Sequence, residues 1–311
     1  MKSIRLFLLL LGLVITFLAA CSIGTPRPAG AIVDDLGRSV NVKEVPQRII
    51  SLAPSNTEIL FALGLGDRVV GVTDFCDYPP EALEKEKIGG PFLNIDIEKI
   101  VALEPDLILA ADINPIDVIN TLEGQGFTVF GIEATDLDDL LDDINTVGTI
   151  TGKEVEATTL TDDMRSKIGA ITIETTNLSP EEKPRMFHIC WHDPIYTSGN
   201  GTFIHDVIEK AGGVNIFADL EGYKSVDIEA VIFRDPEVII VTAMGGTAGP
   251  VWDWINTDER LKVVAARKNG RIYYIESNWV ERPGPRVVLG LEAMAKCLHP
   301  EFFGKPKEVI K

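Results

Sequence analysis

Residues 96–110 read DIEKIVALEPDLILA, and residues 227–241 repeat the pattern as DIEAVIFRDPEVIIV. In each copy an aspartate precedes apolar residues at helical spacing, and a proline separates these residues from a continuous apolar run. The aspartate favours the start of a helix and the proline its end, while the apolar run is typical of a strand buried on both faces of a parallel sheet. The repeat therefore predicts two similar α/β lobes, and a small ligand commonly binds in a cleft between lobes.

Two glutamates occupy matching positions in the repeat. Glu98 and Glu229 each lie two residues after the leading aspartate, about 100° around the helix from the preceding isoleucine. We therefore expect both side chains to be exposed. The predicted buried stripe comprises Ile97, Ile100 and Val101 in one copy, and Ile228, Val231 and Ile232 in the other. The helix dipole also favours an acid in the first turn, by about 0.3–1 kcal/mol, so the glutamates have a purely structural explanation as well.

Another helical pattern lies between the two copies. From Lys153 to Ile171 the sequence carries an apolar stripe that no proline interrupts. A helix of about 20 residues is about 30 Å long, which is enough to join two lobes; the alternative is an ordinary amphipathic helix within one lobe. We predict an N-terminal lobe over residues 32–148, a bridging helix over 149–173 and a C-terminal lobe over 184–311.

The N-terminus has the pattern of a secretory signal peptide over residues 1–20, with a short basic start, an apolar core and small residues at its end. The LAAC sequence at 18–21 resembles a bacterial lipobox, in which the cysteine becomes the lipidated first residue of the mature protein. We expect Cys21 to carry the lipid and residues 21–31 to form a tether, which places the protein outside the cytoplasm, anchored to the cell membrane. The alternative is an ordinary secretory signal with a chance cysteine.

The chain is strongly acidic, with a formal net charge of −18 over 311 residues. A nucleic-acid partner is not expected, because binding to phosphates requires a basic surface. A neutral or cationic ligand is compatible with this charge. Cys76, Cys190 and Cys297 follow Cys21, and their odd number leaves at least one free thiol or an intermolecular disulfide.

Large aromatic side chains occur in the loops that follow predicted strands of both lobes. In parallel α/β sheets these loops carry the ligand-binding residues. The residues are Phe75, Tyr78, Phe92, Trp191, Tyr196 and Trp279. Packing explains any one of them alone, since apolar surface residues are common. As a set they indicate a surface for a large, flat and mostly apolar ligand.

The motifs of common enzymes are missing from the sequence. It contains neither a GxSxG elbow nor a GK[ST] phosphate loop. His188, Cys190 and His192 alternate along a predicted strand and so share one face, where two imidazoles and a thiol could hold zinc or copper. A buried structural strand is the simpler interpretation, because the opposite face is apolar.

Four segments resemble the periplasmic binding proteins of ABC importers for corrinoids, heme and iron–siderophores. They are 51–82 (SLAPSNTEILFALGLGDRVVGVTDFCDYPPEA), 97–110 (IEKIVALEPDLILA), 196–217 (YTSGNGTFIHDVIEKAGGVNIF) and 278–293 (NWVERPGPRVVLGLEA). The resemblance implies an α/β fold of two similar lobes, each a mainly parallel sheet flanked by helices, joined by one long bridging helix. DYPP at 77–80 and WVER at 279–282 look most similar to the cobalamin-binding branch.

The resemblance also implies which residues bind the ligand. Those facing it would be Phe75, Phe92, Tyr196, Trp279 and Arg282, with Asn278 beside them. Tyr78 and Trp191 complete the predicted set as aromatic residues of the same loops. Asn278 stands where the closest pattern has an aspartate, and Ala111-Asp112 stand where the family often has an aromatic residue.

In this resemblance Glu98 and Glu229 match the paired glutamates, one per lobe, that dock into basic pockets on the two permease subunits. We predict a monomeric lipoprotein that captures a corrinoid and delivers it to an ABC importer. It would catalyse no reaction and use no metal or cofactor, because the corrinoid is cargo. The nearer alternative is a ferric siderophore- or heme-binding protein of the same family. The distant one is a metal-dependent enzyme built on His188, Cys190 and His192.

Overall fold

The computed structural model describes residues 30–243 and 249–306. The predicted signal peptide, Cys21 with its predicted lipid, and nearly all of the predicted tether lie outside these residues. Within them, no helix combines the length and the apolar character that crossing a membrane requires.

The first lobe is built on a five-stranded parallel sheet in the order β5-β4-β3-β6-β7. A small antiparallel pair, β1-β2, precedes it. The strands are β1 (Ile32–Val33), β2 (Ser39–Val40), β3 (Ile49–Ser51), β4 (Val69–Val72), β5 (Glu86–Lys87), β6 (Leu107–Ala110) and β7 (Val129–Gly131). The helices are α1 (Pro54–Ala62), α2 (Ile97–Ala102), α3 (Ile116–Gly124) and α4 (Leu137–Thr151).

A long helix, α5 (Glu154–Thr175), leads to the second lobe, whose main sheet is parallel in the order β11-β8-β13-β14. A separate antiparallel sheet has the order β12-β10-β9. The strands are β8 (Arg185–Ile189), β9 (Trp191–His192), β10 (Ile195–Ser198), β11 (Val214–Asn215), β12 (Tyr223–Val226), β13 (Val238–Val241) and β14 (Ile272–Tyr274). The helices are α6 (Phe203–Lys210), α7 (Ile228–Arg234), α8 (Gly249–Thr257), α9 (Ala265–Lys268), α10 (Ser277–Val280), α11 (Val287–Leu298) and α12 (Pro300–Phe303).

The repeated stretch forms a helix and a strand in each lobe, α2 with β6 and α7 with β13, and every residue of both strands is buried. Asp96 caps α2 by accepting a hydrogen bond from the backbone N–H of Lys99, whereas Asp227 makes no such bond. The predicted stripe is wrong at Val101, which is 41% exposed. This residue lies about 100° around a one-and-a-half-turn helix from the buried Ile100, and the sheet covers only one side of that helix.

Helix α5 and its neighbours hold the two lobes on a common core. Its buried residues Ala157, Met164 and Ile171 recur every seven positions along one side. That side packs on α4, α6 and α11. Gly148 on α4 allows the closest approach, because a Cβ there would lie 2.4 Å from the Cβ of Ala157. The two sheets stay separate, but one apolar cluster joins side chains of both through this helical layer.

A buried carboxyl lies beside an exposed one in the first lobe. Asp143 on α4 is 8% exposed, and its Oδ2 has no hydrogen-bond donor among the described residues. Burial, followed by the charge of the neighbouring Asp35, raises the pKa of Asp143 to about 9. Asp143 is therefore protonated at neutral pH and can donate to Asp35, so that the two carboxyl groups share a proton.

We expect Asp143→Asn to stabilise the protein at alkaline pH. A carboxyl whose pKa is raised on folding stabilises the protein below its unfolded pKa, and that stability is lost as the pH rises towards the folded value. The wild-type Tm should thus decrease as the pH rises from about 5 to about 9, whereas the Tm of Asp143→Asn should decrease less. At about pH 9 the Tm of Asp143→Asn should exceed that of wild type by several degrees. This corresponds to about 1–3 kcal/mol of unfolding free energy, the cost of an unsatisfied buried polar group.

Thermal unfolding of both proteins across this pH range measures the effect. Asp142→Asn, at the exposed neighbouring position, serves as the control and should follow the wild-type profile. A difference in Tm between wild type and Asp143→Asn that stays constant with pH contradicts the proton-sharing pair.

Candidate functional site

The carboxyl ends of the parallel strands in the two lobes face each other across a cleft. On the first lobe the loops after β4 and β5 reach this edge, and on the second lobe the loops after β8 and β14 do so. Arg282 and Arg286, which follow β14, contact side chains of the first lobe directly. The topology therefore brings together the loops in which the sequence placed its aromatic residues.

Phe75 and Phe92 form an aromatic pair on the first lobe. Their ring centroids are 6.2 Å apart and the rings meet edge to face at 72°. Both remain about half exposed, at 51% and 53%. Gly89 shapes the loop that carries Phe92: its φ is +92°, and a Cβ there would lie 2.0 Å from the carbonyl oxygen of Asn94. A side chain at this position would push the loop out of place.

The side chain of Asn114 holds the loop of Phe92 in place through hydrogen bonds. This role was not predicted from the sequence. Its buried amide donates to the carbonyl oxygens of Leu52, at 2.9 Å, and Pro91, at 3.1 Å. Its Oδ1 accepts from the backbone N–H of Ala111 at 2.8 Å. One side chain thus ties the ends of β3 and β6 to the loop of Phe92. The only sequence signal is an asparagine soon after a buried strand, which does not identify its distant partners.

On the second lobe, Trp191 and Tyr196 face each other in the β9–β10 pair and are each 38% exposed. The indole N–H of Trp191 donates to the carbonyl oxygen of Asp193 at 2.8 Å, which fixes the ring. The His192 ring lies 5.6 Å from that of Trp191 and 6.0 Å from that of Trp254.

Asn278 and Trp279 lie on α10, the short helix after β14, and both are partly buried. Gly290 on α11 allows this helix to pack closely, because a Cβ there would lie 2.4 Å from Val280 Cγ1 and 2.7 Å from the carbonyl oxygen of Trp279. The packing of α10 against α11 therefore fixes the position of Trp279.

Two arginines of the second lobe pair with carboxylates of the first lobe. Arg286 binds Glu58 with two hydrogen bonds, Nε to Oε2 at 2.8 Å and Nη2 to Oε1 at 2.6 Å. Its guanidinium carbon also lies 4.0 Å from the centroid of the Tyr78 ring. Arg282 binds Asp77, Nη1 to Oδ1, at 2.5 Å. The predicted ligand residues Arg282 and Tyr78 are therefore already engaged in contacts between the lobes.

The desolvation of Glu58 makes this contact sensitive to the loss of either partner. Glu58 is only 3% exposed. Burial raises the pKa of its carboxyl above the usual value, and the hydrogen bonds and charge of Arg286 offset only part of this rise. A groove of about 820 Å³ adjoins the pair, lined in part by Glu58, Tyr78, Arg286 and Lys167 of α5. Tyr78 is the one predicted aromatic residue in its lining.

Two of the three residues considered as a metal site, His188 and Cys190, have other partners, whereas Nδ1 of His192 is buried without a hydrogen-bond partner among the described residues. His188 is fully buried, with Nδ1 3.0 Å from Ser198 Oγ and Nε2 2.9 Å from Thr242 Oγ1. Burial, and then the charge of Glu281, raises the pKa of Cys190 to about 12, so that it is a thiol and not the thiolate that binds metals. Across 30–243 and 249–306, no three His, Cys, Asp or Glu side chains are placed to hold a metal ion.

Two more carboxyl groups lie at strand ends of the first lobe. Asp112 follows β6 and Glu133 follows β7. Burial, followed by the hydrogen bond and charge of Asp112, raises the pKa of Glu133 to about 8. Glu133 is therefore mostly protonated at neutral pH. Asp112 thus adds a polar group at the position where an aromatic residue is common in the family that the sequence resembles.

We expect Arg286→Ala to destabilise the protein by about 3–5 kcal/mol, because it removes both hydrogen bonds to a buried carboxylate and leaves only Arg282 beside it, at 3.7 Å. The pKa of Glu58 would rise further, so the loss should be larger at about pH 8 than at about pH 5. Adding Glu58→Gln should restore much of the stability. Urea unfolding measures these differences.

An exposed ion pair provides the control for this experiment. Arg165 lies 3.6 Å from Asp162 on α5, and about half or more of each side chain is exposed. Arg165→Ala should change the free energy of unfolding by about 0–1 kcal/mol. If Arg286→Ala were as mild as Arg165→Ala, or if Glu58→Gln did not rescue it, the bridge between the lobes would not have the role described.

Comparison with known proteins agrees with this architecture. The family described as periplasmic binding protein matches residues 49–279. The chain is 34% identical over 282 residues to an uncharacterized ABC transporter substrate-binding lipoprotein of Bacillus subtilis, covering 88% of this chain and 86% of that protein.

Two solved structures share the fold. The periplasmic vitamin B12 binding protein of Vibrio cholerae superposes with a TM-score of 0.73 at 31% identity, covering 84% of this chain and 99% of that one. A periplasmic heme-binding protein from Roseiflexus gives a TM-score of 0.72 at 25% identity, with 81% of this chain and 98% of that chain covered. The likeness in each case spans both lobes.

Proposed function

The chain belongs to the periplasmic binding protein family, and from that membership we propose that it captures a corrinoid in the cleft between its lobes. Proteins of this family are solute-binding components of transport systems and not enzymes. They deliver a ligand to the permease of an ABC importer. The corrinoid is accordingly cargo and not a cofactor.

The observation that carries this proposal is the exposure of aromatic rings on both walls of the cleft. Phe75 and Phe92 on the first lobe, and Trp191 and Tyr196 on the second, keep 38–53% of their surface exposed. Burying apolar area contributes about 25 cal/mol per Å². A corrin ring is large, flat and mostly apolar, so it can cover rings on both walls at once.

The charges beside these rings favour a corrinoid over heme or an anionic ferric siderophore. The carboxylates of such ligands require free cations in the cleft. Arg282 and Arg286 are instead paired with Asp77 and Glu58. A corrinoid presents neutral amides at its edge, which Asn278 and the backbone can bind. Heme remains the alternative, favoured by the fold shared with a heme-binding protein.

We expect the mature protein to bind cyanocobalamin, with heat released in calorimetry. Trp279→Ala and Phe92→Ala should each weaken binding by about 10-fold or more, because each removes an aromatic face worth about 1.5–3 kcal/mol when buried. Phe233→Ala is the control, since this ring is 89% exposed on α7, away from the cleft. Absence of both heat and co-purifying colour rejects the corrinoid assignment, and a Soret shift on adding hemin instead supports the heme alternative.

The two repeat helices provide the surface for docking. Glu98 on α2 and Glu229 on α7 are both exposed, at matching positions of the two lobes. A matched charge on each lobe is suited to orient the protein on a two-subunit permease with basic pockets. We infer that each glutamate binds one permease subunit.

Replacing both residues tests this docking role. Glu98→Arg combined with Glu229→Arg should abolish ligand uptake in cells or proteoliposomes that contain the cognate importer. The affinity for ligand in solution should not change, since neither residue lies in the cleft. Glu174→Arg combined with Glu301→Arg, at other exposed positions, makes the same change in charge and should preserve uptake. Normal uptake by the first double variant refutes the docking role.

We also propose that the protein acts as a monomer, anchored to the outside of the cell membrane by a lipid on Cys21. The LAAC sequence supports the anchor, as does the likeness to a substrate-binding lipoprotein. Residues 22–31 would then give the two lobes freedom to reach the importer.

A further inference from the structure

A buried chain of hydrogen bonds runs from the sheet of the second lobe to the cleft. Ser198, His188 and Thr242 have no exposed surface. Ser198 Oγ lies 3.0 Å from His188 Nδ1, and His188 Nε2 lies 2.9 Å from Thr242 Oγ1. Thr242 Oγ1 donates to Glu281 Oε1. The chain thus ends on a carboxylate in the loop between Trp279 and Arg282.

The donors and acceptors in this chain have one consistent direction. The ionised carboxylate of Glu281 can only accept, so the single hydroxyl proton of Thr242 points to it. Thr242 Oγ1 must then accept from His188, which places the proton of the neutral imidazole on Nε2. The free lone pair on Nδ1 accepts from the hydroxyl of Ser198. Every group is satisfied, so the chain holds Glu281 in one orientation.

The second oxygen of Glu281 is available to a ligand. Among the residues that the structure describes, Oε2 of Glu281 accepts no hydrogen bond. The side chain is 19% exposed. It lies near Tyr223 on β12, which is 44% exposed. Desolvation of the Tyr223 hydroxyl, followed by the charge of Glu281 and a smaller effect of Asp112, raises the pKa of Tyr223. Because Asp112 belongs to the first lobe, Glu281 and Tyr223 lie on the side of the second lobe that faces the first.

We propose that Glu281 selects the ligand, and that Ser198, His188 and Thr242 position it. Its Oε2 accepts a hydrogen bond from an amide N–H or a hydroxyl at the edge of the ligand, and its charge disfavours ligands that bring carboxylates to this place. The inference rests on the proposed function as a cleft-binding protein. His188 and Thr242 are positioning residues, since they reach the ligand only through Glu281.

The first test compares Glu281→Gln with wild type in calorimetric titrations of the mature protein. Cyanocobalamin, which carries amides, should bind the variant about 10-fold more weakly, because a hydrogen bond to a charged acceptor is about twice as strong as one to a neutral acceptor. Hemin, which carries two propionates, should bind the variant more tightly than wild type. Glu174→Gln, at an exposed position on α5, is the control and should leave both affinities unchanged.

The second test concerns positioning and uses Thr242, because replacing the fully buried His188 risks unfolding. Thr242→Val keeps the shape but removes the donor to Glu281, and it should weaken cyanocobalamin binding several-fold. Thr242→Ser restores the hydroxyl and should return the affinity to that of wild type. In the Glu281→Gln background, Thr242→Val should have no further effect on affinity, since both changes act on one contact.

The outcomes separate this inference from the proposed function. If wild type binds a ligand and Glu281→Gln binds it equally well, the inference is overturned while the binding function stands. Loss of stability in Thr242→Val without loss of affinity overturns the positioning role. A wild-type protein that binds neither cyanocobalamin nor hemin fails the proposed function, and the inference fails with it.

Discussion

The buried ion pair between Arg286 and Glu58 determines how the two lobes meet. Ion pairs of this kind contribute little net stability compared with apolar residues of the same size, yet they are costly to break from one side. The pair therefore acts mainly as a geometric constraint. It requires the start of α11 to lie against α1, with Tyr78 stacked on the guanidinium. The loop that carries Trp279 and Arg282 precedes α11 directly and is placed opposite Phe75 as a consequence.

A second constraint is apolar, because α5 and its neighbours bury one cluster that includes side chains of both sheets. Lobes held both by this cluster and by the ion pair have little freedom to open or close. A cleft shaped in advance costs less ordering entropy when the ligand binds. The same rigidity implies that release depends on work done by a partner that separates the lobes. The matched positions of Glu98 and Glu229, one on each lobe, are suited to transmit such a force.

Local patterns in the sequence were sufficient for the lobed fold, and distance along the chain explains which contacts were missed. The repeat, the long helix and the aromatic loops each depend on residues within one segment. The contacts that organise the cleft do not: Arg286 and Glu58 are 228 positions apart, and His188 and Thr242 are 54 apart. Alternation along the predicted strand grouped His188 with Cys190, although β8 ends at Ile189. It could not show that hydroxyls from two other segments occupy both nitrogens of the imidazole.

Aromatic walls alone cannot decide between a corrin and a porphyrin, because both are large flat rings that bury similar apolar area. The choice must come from polar groups at the rim of the cleft. There the arginines are paired with Asp77 and Glu58, burial raises the pKa of Glu133 beside Asp112, and Oε2 of Glu281 accepts no hydrogen bond from the described residues. Acceptors consequently outnumber free cations around the aromatic rings. A rim of this composition stabilises a ligand edged with hydrogen-bond donors and raises the free energy of one edged with carboxylates. The same rings can thus serve ligands of one charge class and reject those of another.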